Sequence, residues 1–252
     1  MQNNTGKVKK YIGLNSFQLK IIAMALMLCD HIWATLVSGN LWMTLIGRMA
    51  FPIFAFQVAE GFTKTGNFGR YLKRMFLFAL ISEIPFNLMC AGTVFFPFYQ
   101  NVLFTFCISL GLLKLIQWGE KKGTVAYICT IAVAVLLAAV LGTVCMVDYF
   151  YYGILTVLLF YIFRKGKFAW LGQLAGMFFI NVILMNSMVL NWNFMGRTIQ
   201  IPEQFFALFA LIPIWLYNGK KGPDSKAFRI CNYAFYPVHM LILSLIAIYI
   251  MQ

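Results

Sequence analysis

The 252-residue chain is 62% hydrophobic and 11% charged, with 20 Lys and Arg against 7 Asp and Glu, a formal net charge of +13. About a quarter of the residues of a soluble domain are charged, so too few polar side chains are present to cover a water-facing surface, and a soluble globular fold is excluded. Nucleic-acid binding, the usual reading of a basic chain, does not fit either, because the basic residues flank apolar runs instead of forming one patch.

A bilayer-spanning helix needs about 20 mostly apolar residues. Nine runs approach that length, at 17–38, 42–63, 71–91, 101–118, 124–146, 149–164, 168–190, 203–218 and 229–251, the sixth and eighth being short. The runs are continuous rather than alternating, which excludes a transmembrane barrel. The expected fold is all-α: a polytopic transmembrane helical bundle of about nine spans over 17–252, preceded by a polar tail over 1–16. Most connections are short hairpins. The longest on one side, NSMVLNWNFMGRTIQIPEQ, is aromatic and amide-rich and is expected to lie at the interface or cap a cavity; the longest on the other is YNGKKGPDSKAFR. The first apolar run is long and lacks a small-residue cleavage site, so no cleavable signal peptide is expected.

The basic residues set the orientation. Lys and Arg cluster before the first run, between the second and third, and then at every other turn, which places 18 of the 20 on one side. The alternate loops SGNLWM, AGTVFFPFYQN and VCMVDYF hold none, and only Arg48 and Arg197 fall on that side. By the positive-inside rule the N-terminus is cytoplasmic and the ninth span ends outside, as in a bacterial-type plasma (inner) membrane protein. The basic side is also suited to anionic lipid or an anionic cytosolic ligand. Six cysteines are present and none forms a CxxC pair, so no metal site is expected; Cys90 and Cys145, near the outer ends of their runs, are the one candidate disulfide.

Ionisable residues stand inside the apolar runs: Asp30 and His31 in the first, Arg48 in the second, Glu83 in the third and His239 in the ninth. Each such residue costs roughly 2.5–3.5 kcal/mol on insertion scales, so it faces protein or a water-filled cavity and often does chemistry. Counted along their helices at 1.5 Å per residue, all five lie in the middle and outer half of the bilayer, where one shared pocket is expected. Adjacent Asp30 and His31 point about 100° apart, so they serve different neighbours. Pro52, Pro85 and Pro237 each free a carbonyl four residues back, close to one of these groups. Glu60 and Lys64 have the favourable i,i+4 order of a helix-surface ion pair. Such a polar set fits proton-coupled transport of a small solute, or acyl transfer within the membrane, in which histidine is the base and arginine holds the developing oxyanion. A cytosolic acyl-CoA would need cations at the inner mouth, and Asn218, Gly219, Lys220, Lys221 and Gly222, with Arg229, form a glycine-flanked basic turn there.

The stretches SFQLKIIAMALMLCDHIWA and IGRMAFPIFAFQVAEGFTKTGNFGRYLKRMFLFALISEIPFNLM, then NVLFTFCISLGLL, DYFYYGILTVLL, FFALFALIPIWLYNGKKG and YAFYPVHMLIL, resemble the TraX family of integral membrane proteins from Ser16 onward. The family's blocks stand here as Asp30–His31, Gly47–Arg48, Glu60–Gly61–Phe62, 82–86, Asn218–Gly222 and 236–239. The family is associated with N-terminal acetylation of a conjugative pilin and resembles the wider membrane acyltransferases, whose first span carries a histidine, here His31. The resemblance implies an acetyl-CoA-dependent N- or O-acetyltransferase. His31 would be its base, Asp30 or Glu83 would orient it, Arg48 would order the carboxylates or stabilise charge, and His239 would be a second catalytic or acceptor-positioning group. Lys220, Lys221, Arg229 and Asn218, with Lys73 and Arg74, would hold the CoA phosphates. The partners implied are acetyl-CoA, a peptide or cell-envelope glycan acceptor and the bilayer. A transporter is the alternative, against which stands the lack of an inverted repeat; a non-catalytic factor for pilus assembly would leave the buried histidines idle.

Overall fold

The computed structural model of the protein describes residues 13–185, 187–194, 197–223 and 225–250. Most of the expected 1–16 tail therefore lies outside the described residues. Helix α1 (Ser16–Thr35) begins at a capping box, in which the Asn15 side chain accepts from the Gln18 amide and the Gln18 side chain accepts from the Asn15 amide. The second run is broken into α2 (Leu41–Gly47) and α3 (Ala50–Lys64). The break falls at Arg48–Met49, where Pro52 supplies no N–H to the Arg48 carbonyl. Then come α4 (Phe68–Ala91), α5 (Val102–Lys122), α6 (Thr124–Val144), α7 (Phe150–Ile162) and α8 (Ala169–Phe178), the last running on into a π-helical turn over Phe179–Leu184.

The aromatic, amide-rich connection departs from the all-α expectation. It forms an antiparallel hairpin, β1 (Val189–Phe194) and β2 (Arg197–Pro202), that pairs Trp192 with Ile199 and Leu190 with Ile201 across the strands. The segment alternates apolar and amide residues, which is the period of a strand. A 3-10 helix over Glu203–Ala210 leads into α9 (Leu211–Trp215), and α10 (Lys226–Ile250) closes the chain.

Six helical stretches among the described residues are long and apolar enough to cross a membrane: Ser16–Thr35, Leu41–Lys64, Phe68–Ala91, Val102–Lys122, Thr124–Val144 and Ile230–Ile250. The other three apolar runs carry shorter helices, at Phe150–Ile162, Ala169–Leu184 and Glu203–Trp215. A 13-residue helix reaches about 20 Å, less than a hydrocarbon core of about 30 Å. Helix α7 is buried in the bundle: Ile154, Val157, Leu158, Phe160 and Tyr161 are at most 1% exposed. Its Phe160 and Tyr161 meet Phe56 and Phe62 of α3 edge to face. Lipid-facing surface lies on α4 (Phe76, Leu80, Ile84) and α6 (Val125, Ile128, Leu136), whose large apolar side chains are exposed.

Alternate turns gather at opposite ends, as the charge pattern requires. At one end Leu14 pairs with Tyr217, Lys64 Nζ donates to the Gly219 carbonyl at 2.5 Å, and Arg164 grips Glu120 through one nitrogen at 2.6 Å to each oxygen. At the other end the 92–101 turn is bridged to the turn after α6 through Gln100 and Val147. The Glu60–Lys64 pair forms at 2.7 Å. All six cysteines are free, so Cys90 and Cys145 are not joined.

Candidate functional site

Asp30 and His31 lie in the last turns of α1 and, being about 100° apart, turn to different neighbours. His31 turns to α10, where its Nδ1 is 2.7 Å from Nε2 of His239. The two ring planes are within 14° of parallel and the centroids are 4.9 Å apart. A short N···N contact with distant centroids is an edge-to-edge hydrogen bond between nearly coplanar imidazoles. Nδ1 of His239 is 2.6 Å from the Phe235 carbonyl. A carbonyl only accepts, so His239 Nδ1 carries a proton and, in the neutral ring, His239 Nε2 is an acceptor. His31 must then donate from Nδ1, which leaves His31 Nε2 with its lone pair. The pair thus presents one imidazole in the tautomer a general base needs and uses the other to hold it there.

Asp30 turns to the broken end of α2. Arg48 Nη2 lies 2.5 Å from Asp30 Oδ1, and Arg48 Nε lies 2.9 Å from Oε1 of Glu203. The Thr44 hydroxyl, 1% exposed, donates to Asp30 Oδ1 at 2.8 Å and receives Arg48 Nη2 at 2.7 Å. One guanidinium is therefore shared by two carboxylates, and the formal charge of the group is −1. Glu203 directly follows β2 and was not among the residues singled out in the sequence. Its signal was there: Glu203 and Asp148 are acids on a side almost devoid of basic residues, and Glu203 is the first residue of the 203–218 run.

Gly47 lets α2 come this close to α1. A Cβ there would fall 2.9 Å from both Cγ and Oδ1 of Asp30, and Asp30 cannot retreat because Arg48 and Thr44 hold it. Gly47→Ala is expected to destabilise the protein by about 1–3 kcal/mol, the usual cost of overpacking, while Gly39→Ala, with nothing within 4 Å, leaves it unchanged. Thermal melting of the two variants side by side checks this, and equal melting points would contradict the packing described.

Glu83 is not with the others. Its Oε2 accepts from Asn101 Nδ2 at 2.5 Å, at the N-terminus of α5, while Asn101 also donates to the Ala79 carbonyl. Its Oε1 is buried without a partner. Glu83 thus works at the α4–α5 seam, where a carboxylate suits the positive end of a helix dipole. Residue counting along α4 carries no information about which neighbour the helix faces.

The basic turn is also built differently from a phosphate cradle. Asn218 Nδ2 donates to the Gly13 carbonyl, its Oδ1 accepts from the Lys220 amide, and the Lys220 and Lys221 carbonyls accept from the amides of Ser16 and Phe17. Gly222 packs on Asn15. The turn spends its Asn218 side chain and its carbonyls on holding the start of α1. Arg74 lies over the Tyr233 ring at 5.9 Å. Lys73 lines a separate apolar groove of about 570 Å³ between α4 and α5. The Arg229 side chain lies outside the described residues. A polar cavity of about 280 Å³ does open at this end, lined by Glu60, Arg164, Gln173, Trp215 and Tyr217.

The turn between α6 and α7 lies at the end of the bundle where it bridges to Gln100. Asp148 accepts from the Tyr99 hydroxyl at 2.6 Å and from the Tyr149 amide at 3.0 Å. Burial lifts its carboxyl from 3.8 to about 6, against those two bonds and Arg48, which hold it down. A carboxyl raised by folding favours the folded state most below its unfolded value, and this contribution is lost as pH rises through about 6. Melting temperature is expected to fall between pH 4 and 6.5, and Asp148→Asn, which keeps the accepting oxygen, is expected to flatten that slope. An unchanged slope in the variant would assign it to another group.

The profile of the TraX family, described as TraX protein, matches residues 16–247. The chain belongs to the TraX family. It is 29% identical over 255 residues, 94% of this chain and 97% of the relative, to the probable fimbrial assembly protein FimC, serogroup H1, of Dichelobacter nodosus. It is 28% identical over 145 residues, 57% of this chain and 54% of the relative, to Protein TraX of Escherichia coli. The corresponding protein of Escherichia coli strain K12 is 29% identical over 106 residues, 41% of this chain and 40% of the relative. No solved structure matches significantly. The family match spans α1 to α10, so the histidine pair, the Arg48 cluster and the basic turn all lie within the TraX region.

Proposed function

We propose that this TraX protein is a membrane-embedded acyltransferase that moves an acetyl group from cytosolic acetyl-CoA to an amine or hydroxyl acceptor, a peptide N-terminus such as a pilin's or a cell-envelope glycan. The reading takes the N-terminus as cytoplasmic and the membrane as the inner membrane. The similarity to a relative named for fimbrial assembly supports a peptide acceptor. The observation that carries the chemistry is the pair of bonds fixing the histidines, His31 to His239 at 2.7 Å and His239 to the Phe235 carbonyl at 2.6 Å.

In this reading His31 Nε2 takes the proton of the acceptor as its nitrogen or oxygen attacks the thioester carbonyl. The C–S bond breaks as the new C–N or C–O bond forms, and the CoA thiolate leaves with that proton. The imidazolium formed on His31 in between sits one residue from the Asp30–Arg48–Glu203 group, whose formal −1 charge opposes it. Lys220 and Lys221 supply side-chain charge for the CoA phosphates. Purified protein in detergent, given acetyl-CoA and either a peptide with a free N-terminus or a sugar alcohol, should release CoA thiol faster with the true acceptor. No thiol release with either acceptor, together with pH-driven solute uptake into vesicles, would replace the enzyme by a transporter.

A further inference from the structure

The Glu60–Lys64 pair of α3 is more than a helix-surface contact. Lys64 Nζ lies 2.7 Å from Glu60 Oε1, 3.1 Å from the Tyr217 hydroxyl and 2.5 Å from the Gly219 carbonyl. An ammonium has three N–H groups, and here each has an acceptor. All three acceptors belong to residues that line the polar cavity of about 280 Å³. Lys64 therefore ties the end of α3 to the 217–219 segment and fixes one wall of that cavity.

The sides contributed by α7, α8 and α9 are fixed likewise. Arg164 pairs with Glu120 at 2.6 Å, donates from Nη1 to the Tyr161 carbonyl at 2.7 Å, and lies 3.8 Å over the Tyr161 ring. The Trp215 indole N–H donates to Gln173 Oε1 at 2.9 Å, while Gln173 Nε2 donates to the Phe163 carbonyl. The cavity is thus formed before a ligand arrives, which lowers the ordering cost of binding.

Its lining selects a class of ligand. Among the described residues the charged groups on it are Glu60 and Arg164, one of each sign, and each already has a counter-ion, Lys64 and Glu120 respectively. A formally neutral lining gives a free ion no advantage. Phe56, Phe160, Tyr161, Trp215 and Tyr217 supply aromatic walls, and Thr63 adds a hydroxyl. Such walls suit a flat, neutral heteroaromatic ring, which stacks on them and still offers hydrogen-bonding atoms at its edge. The volume falls just under the roughly 300–1,000 Å³ of a site for a drug-sized ligand, so it takes a ring system and not a whole coenzyme. Gly219 is the last lining residue along the chain, and Lys220 and Lys221 follow it directly. A neutral aromatic cavity bordered in sequence by two cations matches a base that carries phosphate, which is a nucleotide.

We propose that this cavity is a nucleobase site that holds the adenine of the acyl donor, with the donor's phosphates at Lys220 and Lys221. This deepens the acyl-transfer reading and rests on it for the choice of adenine.

The test uses adenosine 3′,5′-bisphosphate, which keeps the base and phosphate charge of CoA and has no thioester arm. Titration calorimetry on the detergent-purified protein should show it binding. Thr63→Trp places a large ring at the cavity; Thr63 is exposed, so the variant should melt within a few degrees of wild type. It should bind the nucleotide at least tenfold more weakly. Trp215→Leu, which removes one aromatic wall, should weaken binding about tenfold, the loss of one base–aromatic stack. Equal affinity in the wild type and both variants overturns the cavity as the base site. So does a wild type that binds acetyl-CoA but not the bisphosphate, and in either case acyl transfer stands. Binding of the bisphosphate that both variants weaken, without any binding of acetyl-CoA, would keep the nucleotide site and end the acetyl-CoA reading. No binding of either compound would end both.

Discussion

His31→Ala is expected to lower the rate of acetyl transfer by about 10²-fold or more, the ordinary contribution of a positioned general base, while leaving acetyl-CoA binding within a few fold. The reason is the division of labour within the pair. His31 alone has a nitrogen with a free lone pair once its Nδ1 donates to His239. His239→Ala removes the acceptor that sets this tautomer, so it should cost less, roughly 10-fold to 100-fold, and the residual activity should respond to added imidazole. Equal and total loss in both variants would assign the proton transfer to His239 as well. Unimpaired transfer in His31→Ala would remove the base from the mechanism altogether. Measuring binding and turnover separately matters here, because a collapse of the α1–α10 contact would lower both.

The second large effect is on stability. Among the described residues Arg48 is the cation that pairs with both Asp30 and Glu203, at 2.5 Å and 2.9 Å, and the side chains of all three are less than a fifth exposed. Removing one member of such a group leaves uncompensated buried charge and costs about 3–5 kcal/mol. For a chain of this length that corresponds to a fall in melting temperature of roughly 10 °C. Arg48→Leu should show it. Adding Asp30→Asn and Glu203→Gln removes the stranded charges and should recover most of the loss without restoring transfer. If the single and triple variants melt alike, the carboxylates are not held as described; if both match wild type, the cluster is not a structural element.

The two expectations differ in how much the sequence supports them. His31 and His239 were both visible as imidazoles in apolar runs, and the energetic cost of burying them was reason enough to group them. Arg48 and Asp30 were visible for the same reason. Glu203 was not grouped with them, because it opens its run beside Gln204, where no burial penalty can be read; its one signal was an acid on a side almost devoid of basic residues. Glu83 shows the opposite error. Its depth matched the others, yet it serves Asn101 at the start of α5. Depth follows from residue counting at a constant rise, whereas azimuth depends on which helices are neighbours, and single-chain periodicity does not contain that.

The basic turn shows the same limit at its end of the bundle. Charge and glycine spacing suggested an anion cradle, but its carbonyls and Asn218 are taken by the amides and carbonyl at the start of α1. By itself the amino-acid order determined the solvent: with 62% hydrophobic and 11% charged residues the chain needs lipid around it, and basic residues at alternate turns sort those turns to two ends. It marked Pro52, Pro85 and Pro237 alike, yet the helix breaks only ahead of Pro52, while α4 and α10 run through theirs. Only the tertiary structure decided which buried groups meet, how the hairpin delivers Glu203 to Arg48, and which nitrogen of His31 is left unprotonated. Those depend on helix neighbours and on hydrogen bonds of 2.5–2.9 Å between residues as many as 208 positions apart, distances that local pattern does not encode.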